Sequence, residues 1–332
     1  KNPPQRSRLV WCVMLGIVAA FLIVLVNLLD SPAAFAISKT QELTRQQGLE
    51  FSALHSESGR YLLFLKKAKS TGINQLWRKD QISNQESLVD TQGLNIVKLF
   101  AISNYKEGSQ QLHFLASKNK QCFAYQANWL LNTSLVNLQP IMNCNSMAIN
   151  DIVFDISANQ LIYSAFKVND QISRIYRYDI SSKQHFLMAQ PEPLGIGNHN
   201  VDISPDGKKL LIMRSNADLH TQLFVLIMQS NEIKEYQKFD YLVREAIWHH
   251  DSENILYFPP PPAHQIILGD LAGKNKSTVV SISEYLSRNM SLIADGNSIL
   301  FATHLANYSN RWLTGNNSEN SLDNSTVYEM LP

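Results

Sequence analysis

Charge is scarce in this chain. Of its 332 residues, 17% are Asp, Glu, Lys or Arg, and the formal net charge is +1. A near-neutral chain has no broad field to gather nucleic acid or anionic lipid. Cysteine is scarcer still, with three residues and no Cys-x-x-Cys or Cys/His cluster, so the common zinc patterns are missing and no metal site is expected. There is no Gly-x-Ser-x-Gly elbow, no His-Glu-x-x-His and no P-loop. No pair of acids stands out for glycoside hydrolysis. Beyond Ile37, helical periodicity is missing too, and its best stretch, Ser281 to Arg288, is short. These absences lead to the expectation of a binding protein, not an enzyme, with no cofactor.

One long apolar run is present. Leu9 to Leu29 carries no charge, and its only amide is Asn27. At about 1.5 Å of rise per residue, such a helix crosses the roughly 30 Å hydrocarbon core of a bilayer. Lys1, Arg6 and Arg8 precede it without an acid, which places residues 1–8 in the cytoplasm and the long C-terminal part outside. A secretory signal peptide is the rival reading, because Ala34-Phe35-Ala36 fits a small-x-small cleavage site. The run exceeds the usual h-region of about 7–15 residues, however, which favours a retained helix. Residues 30–38 read as a linker. Gly16 and the Ala19-Ala20 pair would permit close helix packing in a homodimer.

That topology bears on the cysteines. Cys12 falls inside the apolar run as a small apolar residue. Cys122 and Cys144 fall outside the membrane with 21 residues between them. In an oxidising compartment they form a natural pair, and closing such a loop contributes roughly 3 kcal/mol in the chain-entropy model. Two unpaired buried thiols are the alternative.

From residue 39 on, short apolar runs rich in β-branched and aromatic residues alternate with turns: Tyr61 to Leu65, Leu161 to Ser164, Leu210 to Met213, Ile255 to Phe258 and Ile299 to Ala302. They belong to a longer period. Asn200 to Met213 reads as strand, Ser-Pro-Asp-Gly turn, strand. Phe51 to Phe64, Asp151 to Tyr163, Glu245 to Tyr257 and Ser291 to Phe301 repeat the layout, and a blurred copy runs from Val97 to Leu115. The turn positions Gly59, Gly108, Asn159, Gly207, Glu253 and Gly296 are 49, 51, 48, 46 and 43 residues apart. A third strand follows most copies, as in Gln75 to Arg78, Arg174 to Tyr178, Gln222 to Leu226 and Gln265 to Leu268. A weaker fourth follows in Gln184 to Met188 and Glu232 to Tyr236. Four antiparallel strands in roughly 45 residues make a propeller blade. The expected fold is therefore all-β, a six-bladed propeller over residues 39–332, preceded by one transmembrane helix. Either Thr40 to Thr44 or Ser325 to Met330 should complete the last blade, and Gly315 to Asn324 reads as a loop.

At Ser204-Pro-Asp-Gly207 with Leu210 to Met213, and at Ser58 to Phe64 with Leu76-Trp77 and Asp80, the chain resembles the TolB-type propeller repeat. The basic tail, single helix and outward propeller together resemble the C-terminal portion of membrane-bound transcriptional regulators of the ToxR/CadC type. That resemblance implies an upstream cytoplasmic winged-helix domain that binds DNA, an inner-membrane location in a bacterium, and a periplasmic sensor domain. Residues 1–332 contain no winged-helix motif, so no DNA-contacting residue is carried over. An envelope scaffold with a TolB-like propeller and no transcriptional role is the alternative.

Propellers bind ligands and partners at the central channel and its rims. The residues entering the innermost strands are Asn150 and Asp151, His199 and Asn200, Arg244 and Glu245, and Asn289. Such a polar set suits a small polar molecule or a peptide end, against the bland reading of a water-filled channel. His249-His250-Asp251 could hold a metal or titrate near neutrality, but it takes the turn position of the fifth repeat and reads as a solvated turn. Pro259 to Pro262 must leave the ladder as a stiff connector. Trp77, Trp248 and Tyr176 occupy repeat-equivalent apolar positions and read as packing between blades.

Overall fold

The computed structural model describes residues 39–44, 50–56, 58–68, 70–106, 109–130, 134–191, 195–259, 264–281, 285–286, 289–293, 298–305 and 324–331. The apolar run Leu9–Leu29, the linker 30–38, Pro260–Pro262 and the turn glycines Gly108 and Gly296 lie outside them. The chain divides into two compact units, 1–36 and 37–332, and every described residue belongs to the second. Among the described residues no helix is long and apolar enough to cross a membrane.

All the described elements are strands. After β1 (Lys39–Glu42) come five antiparallel four-stranded blades, each built from consecutive strands. Blade 1 is β2 (Glu50–His55), β3 (Tyr61–Lys67), β4 (Asn74–Asp80) and β5 (Glu86–Val89). Blade 2 is β6 (Asn95–Lys106), β7 (Ser109–Lys118), β8 (Gln121–Leu130) and β9 (Leu135–Asn143). Blade 3 is β10 (Met147–Asp155), β11 (Gln160–Lys167), β12 (Arg174–Asp179) and β13 (Gln184–Ala189). Blade 4 is β14 (Gly197–Ile203), β15 (Lys209–Ser215), β16 (Thr221–Ile227) and β17 (Glu232–Phe239). Blade 5 is β18 (Ala246–Trp248), β19 (Asn254–Tyr257), β20 (Gln265–Asp270) and β21 (Lys276–Ser281).

The last repeat is built differently. β22 (Tyr285–Leu286), β23 (Ser291–Leu292), β24 (Ile299–Leu305) and β25 (Asn324–Leu331) join β1 in a five-stranded sheet of order β1-β25-β24-β22, with β23 also on β24. Six equivalent blades were expected. Five regular blades form, and the remaining sheet is a composite of both ends of the described chain. Lys39 pairs with Leu331 and Glu42 with Tyr328, so both terminal strand candidates enter it, not one. The stretch with short helical periodicity, Ser281 to Arg288, contains the strand β22 instead.

The walls between blades explain the apolar runs. A strand packed between two sheets must be apolar on both faces, and successive side chains face opposite ways. In β15, Leu211 and Met213 pack with Trp248, Ile255 and Tyr257 of blade 5. Leu210 and Ile212 pack with Ile162 and Ile175 of blade 3. In β3, Leu63 and Leu65 join Ile96, Phe114 and Trp129 of blade 2, whereas Leu62 and Phe64 join Leu300 and Ala302 of the composite sheet. Each such burial contributes about 1.5–3 kcal/mol.

Turns set the strand register. In Ser204 to Gly207, the Gly207 amide donates to Ser204 O at 2.8 Å and the Ser204 amide to Lys209 O at 2.9 Å, with Gly207 at φ +70°. The Ser204 hydroxyl donates to Asp206 Oδ1 at 2.6 Å. Gly59 repeats the left-handed conformation at φ +69° and Asn159 at φ 51°. In blade 5 the same hydrogen-bonded ring runs from His249 to Asn254, and the left-handed residue is Ser252 at φ 60°, one place before the expected Glu253. Cys122 and Cys144 are joined as a disulfide at the β8–β9 end of blade 2, with their Cα atoms 5.1 Å apart.

Candidate functional site: the central channel

The innermost strands do not run as ideal ladders. Register shifts occur between Phe51 and Leu54, Ile96 and Lys98, Ile149 and Asp151, and Asn198 and Asn200. A bulge sets two residues against one and re-aims a side chain. It lets neighbours such as Asn150 and Asp151, or His199 and Asn200, face the same space instead of opposite faces.

That space is the central channel. Asn150, Asp151, His199, Asn200, Arg244, Glu245 and Asn289, nominated from the repeat register, all line one cavity of about 240 Å³. A second cavity of about 310 Å³ shares Lys98, Asp151, Asn200, Glu245 and Asn289 with it. It continues past Ser52 and Asp202 to an apolar wall that includes Phe100, Val153, Ile247 and Trp248.

Polar contacts link each innermost strand to the next. The Leu99 amide donates to Ser52 Oγ at 2.7 Å. Lys98 forms an ion pair with Asp151. Asp151 Oδ2 accepts from Asn200 Nδ2 at 2.6 Å and from the Val201 amide at 3.0 Å. Asn200 Oδ1 accepts from the Ala246 amide at 2.9 Å, and Asp202 Oδ2 from the Trp248 amide at 2.7 Å. Glu245 accepts from the Asn289 amide at 2.5 Å and the Met290 amide at 3.0 Å. The Ser291 hydroxyl donates to Ala53 O at 3.3 Å and closes the circuit on blade 1. The belt thus joins all five blades and the composite sheet.

Its electrostatics follow from enclosure. Burial pushes the Asp202 carboxyl up to about 7; the Trp248 amide opposes the rise and the Asp151 charge adds to it. Burial likewise pushes Glu245 up to about 7, with Lys98 opposing and Asp151 adding. For Lys98, burial favours the neutral amine, but the charges of Asp151, Glu245 and Asp202 hold its pKa above the usual value. Carboxyls that titrate near neutrality can donate or accept a hydrogen bond, and the ammonium beside them can only donate. The channel therefore offers both signs of charge and both hydrogen-bonding roles within one small volume.

Lys98, Asp202 and Ser52 were missed in the sequence. Lys98 sits in the blurred second repeat, so its register was hidden. Asp202 follows Asn200 by two places in β14, and that period should have put it on the same face. The nominated residues also differ among themselves. His199 Nε2 is held by Ser215 Oγ at 2.8 Å, Asn150 Nδ2 donates to Ser173 Oγ at 2.9 Å, and Arg244 is exposed. The His249 group departs from the expected solvated turn. His249 is buried and its Nδ1 lies 2.9 Å from Asp251 Oδ2, whereas His250 is exposed.

No family model matches the chain, and no curated protein matches it in sequence. Solved structures do match it in fold. A putative TolB from Agrobacterium tumefaciens is similar at 13% identity and TM-score 0.58, over 87% of this chain and 93% of that one. The chain has a TolB-like propeller fold. TolB from Acinetobacter baumannii matches at 14% identity and TM-score 0.53, over 70% of this chain but only 55% of the other. A gluconolactonase from Xanthomonas campestris matches at 9% identity and TM-score 0.54, over 90% and 92%. An oligogalacturonate lyase in complex with manganese matches at 10% identity and TM-score 0.53, over 87% and 79%. These last two correct the expectation that the chain is not an enzyme. Enzymes share this fold, so missing hydrolase and nucleotide motifs do not argue against catalysis. At such identities the likeness establishes the fold alone.

Proposed function

We propose that the propeller is the exported binding domain of a single-pass bacterial inner-membrane protein, held by a helix over Leu9–Leu29, with its N-terminus in the cytoplasm. It takes a small polar molecule or a peptide end in the central channel. By the resemblance to ToxR/CadC-type regulators, occupancy is relayed to a winged-helix DNA-binding segment upstream of Lys1. The observation that carries the binding step is the charged belt. Lys98, paired with Asp151, lies beside Asp202 and Glu245, whose carboxyls burial lifts to about 7, so the belt can change its charge near neutrality. A ligand that brings its own charges would shift that balance.

The full chain in lipid nanodiscs should be screened with amino acids and short peptides by thermal melting. A ligand is expected to raise the melting temperature of the parent and to lose most of that effect with Lys98→Met. Equal effects on parent and variant would sink the channel as the site. A phosphatase reporter active only outside the cytoplasm, fused after residue 332, should be active; an inactive, stably expressed fusion would reject the orientation.

A further inference from the structure

A third pocket lies away from the channel, on blade 3. It is an open groove of about 600 Å³ lined by Ser146, Met147, Lys167, Val168, Tyr176, His185 and Leu187. Its walls are apolar and wet: Val168 is 63% exposed and Leu187 52%. Tyr176 is almost wholly buried, and the Lys167 ammonium lies over its ring, 5.6 Å from the centroid. Among the described residues no carboxylate lines the groove.

The polar groups there are linked to one another. Tyr163 is fully buried, and its hydroxyl lies 2.6 Å from His185 Nδ1. Burial keeps that phenol protonated; it also donates to Met147 Sδ at 3.3 Å, and its contact with Nδ1 leaves Nε2 as the ring nitrogen free for the groove. Burial, and then the Lys167 charge, push the His185 pKa down, which keeps the ring in its neutral form and places the ammonium within electrostatic reach of it. The groove residues therefore include one cation, the Lys167 ammonium, and the His185 ring beside a floor of Met147, Tyr176 and Leu187.

We propose that this groove binds a small organic acid: an apolar alkyl or aryl body on the Met147–Tyr176–Leu187 floor, with its carboxylate between Lys167 and His185. The volume lies within the roughly 300–1,000 Å³ usual for small-molecule sites. The Lys167 ammonium, with no acid among the described lining residues, selects a carboxylate over an amine. The site stands independently of the channel and of any relay.

The test uses the full chain in nanodiscs and isothermal titration with 4-phenylbutyrate, its neutral amide and 4-phenylbutylamine. The acid should bind saturably, the amide about fivefold more weakly, and the amine not at all. Lys167→Met should reduce the acid's affinity to that of the amide. Leu187→Asp should abolish binding; both positions are exposed, so the fold should survive the change. Asp202→Asn, in the channel, should leave binding unchanged. Equal affinity for acid and amide, no binding of the acid, or loss of binding with Asp202→Asn would each overturn the assignment. The last outcome would move the ligand to the channel and leave the channel reading standing.

Discussion

The walls between blades and the belt around the channel hold the same strands together by opposite means. A wall is dry and apolar, and it works by area. Leu211 and Met213 against Trp248 and Tyr257 need only be large and correctly faced. The belt is polar and works by register. Asn200 must meet the Ala246 amide and Asp202 the Trp248 amide, each across a separation of 46 residues. A wall tolerates exchange of one hydrophobe for another of similar volume. The belt does not, because each carboxylate or amide satisfies buried backbone donors that would otherwise lose their partner. The difference separates what keeps the blades folded from what could answer a ligand.

The largest way to break the comparison is Trp248→Ala. The indole fills the wall between blades 4 and 5, and its Nε1 donates to Asp202 O at 3.2 Å. Loss of that volume should cost about 3–5 kcal/mol of stability. Trp248→Phe should retain most of the wall and give up only the hydrogen bond. Urea unfolding of both variants decides it, and near-equal losses would mean that the indole hydrogen bond, not volume, holds this wall.

Next comes the covalent member of a wall. Cys122 and Cys144 lie among Leu115, Met142 and Tyr163 between blades 2 and 3. Reduction, or the double change to Ser, should cost about 3 kcal/mol in the chain-entropy model. If this staple serves only its own blade, the binding of a channel ligand should be unchanged at temperatures well below unfolding.

The contrast also explains what could be read from the sequence. The walls were legible because a strand buried on both faces leaves an unbroken apolar run, as in Leu210 to Met213. The blade turns were legible where Pro, Asp and Gly carry their own geometry, as in Ser204 to Gly207. The left-handed residue of blade 5 was misplaced because Ser252 does by context what glycine does by chemistry. The belt was half legible. Repeat register found Asp151, Asn200 and Glu245, because they hold matching places in clear repeats. It missed Lys98, whose strand β6 is twelve residues long and bulged more than once, so the period is blurred where it matters most. The composite sheet was least legible, since pairing Lys39 with Leu331 leaves no local signal. The groove on blade 3 had none either: its floor and its polar groups come from all four strands of the blade.

A smaller expected effect isolates one link of the belt. Glu245→Ala strands the Asn289 and Met290 amides and should cost about 2 kcal/mol. Glu245→Gln keeps one acceptor oxygen and removes the charge, so it should recover at least half of that loss at pH 7. Full recovery would show that the belt needs the acceptor and not the charge. No recovery would show that both oxygens are needed.

The smallest expected effect is the most specific to the belt. Asp202 in the folded protein titrates near 7, well above an unfolded carboxyl near 4. Between those values the folded state holds a proton that the unfolded state has released. This group's contribution to stability therefore falls as pH rises from about 4 to 7 and stays at its lower level above 7. Asp202→Asn keeps an acceptor for the Trp248 amide and removes the titration. The variant should be more stable than the parent at pH 8 by about 1–2 kcal/mol, after allowance for channel water, and that advantage should shrink to about a third on acidification to pH 5. Groups outside the belt drop out of the difference. The buried His113 is pushed down to about 4 and destabilises both proteins alike as pH falls below its unfolded value near 6.5. Urea midpoints of the two proteins at pH 5, 6.5 and 8 test the claim. A pH-independent difference would mean that Asp202 carries no strained charge, and the channel would then behave electrostatically like an ordinary wet surface.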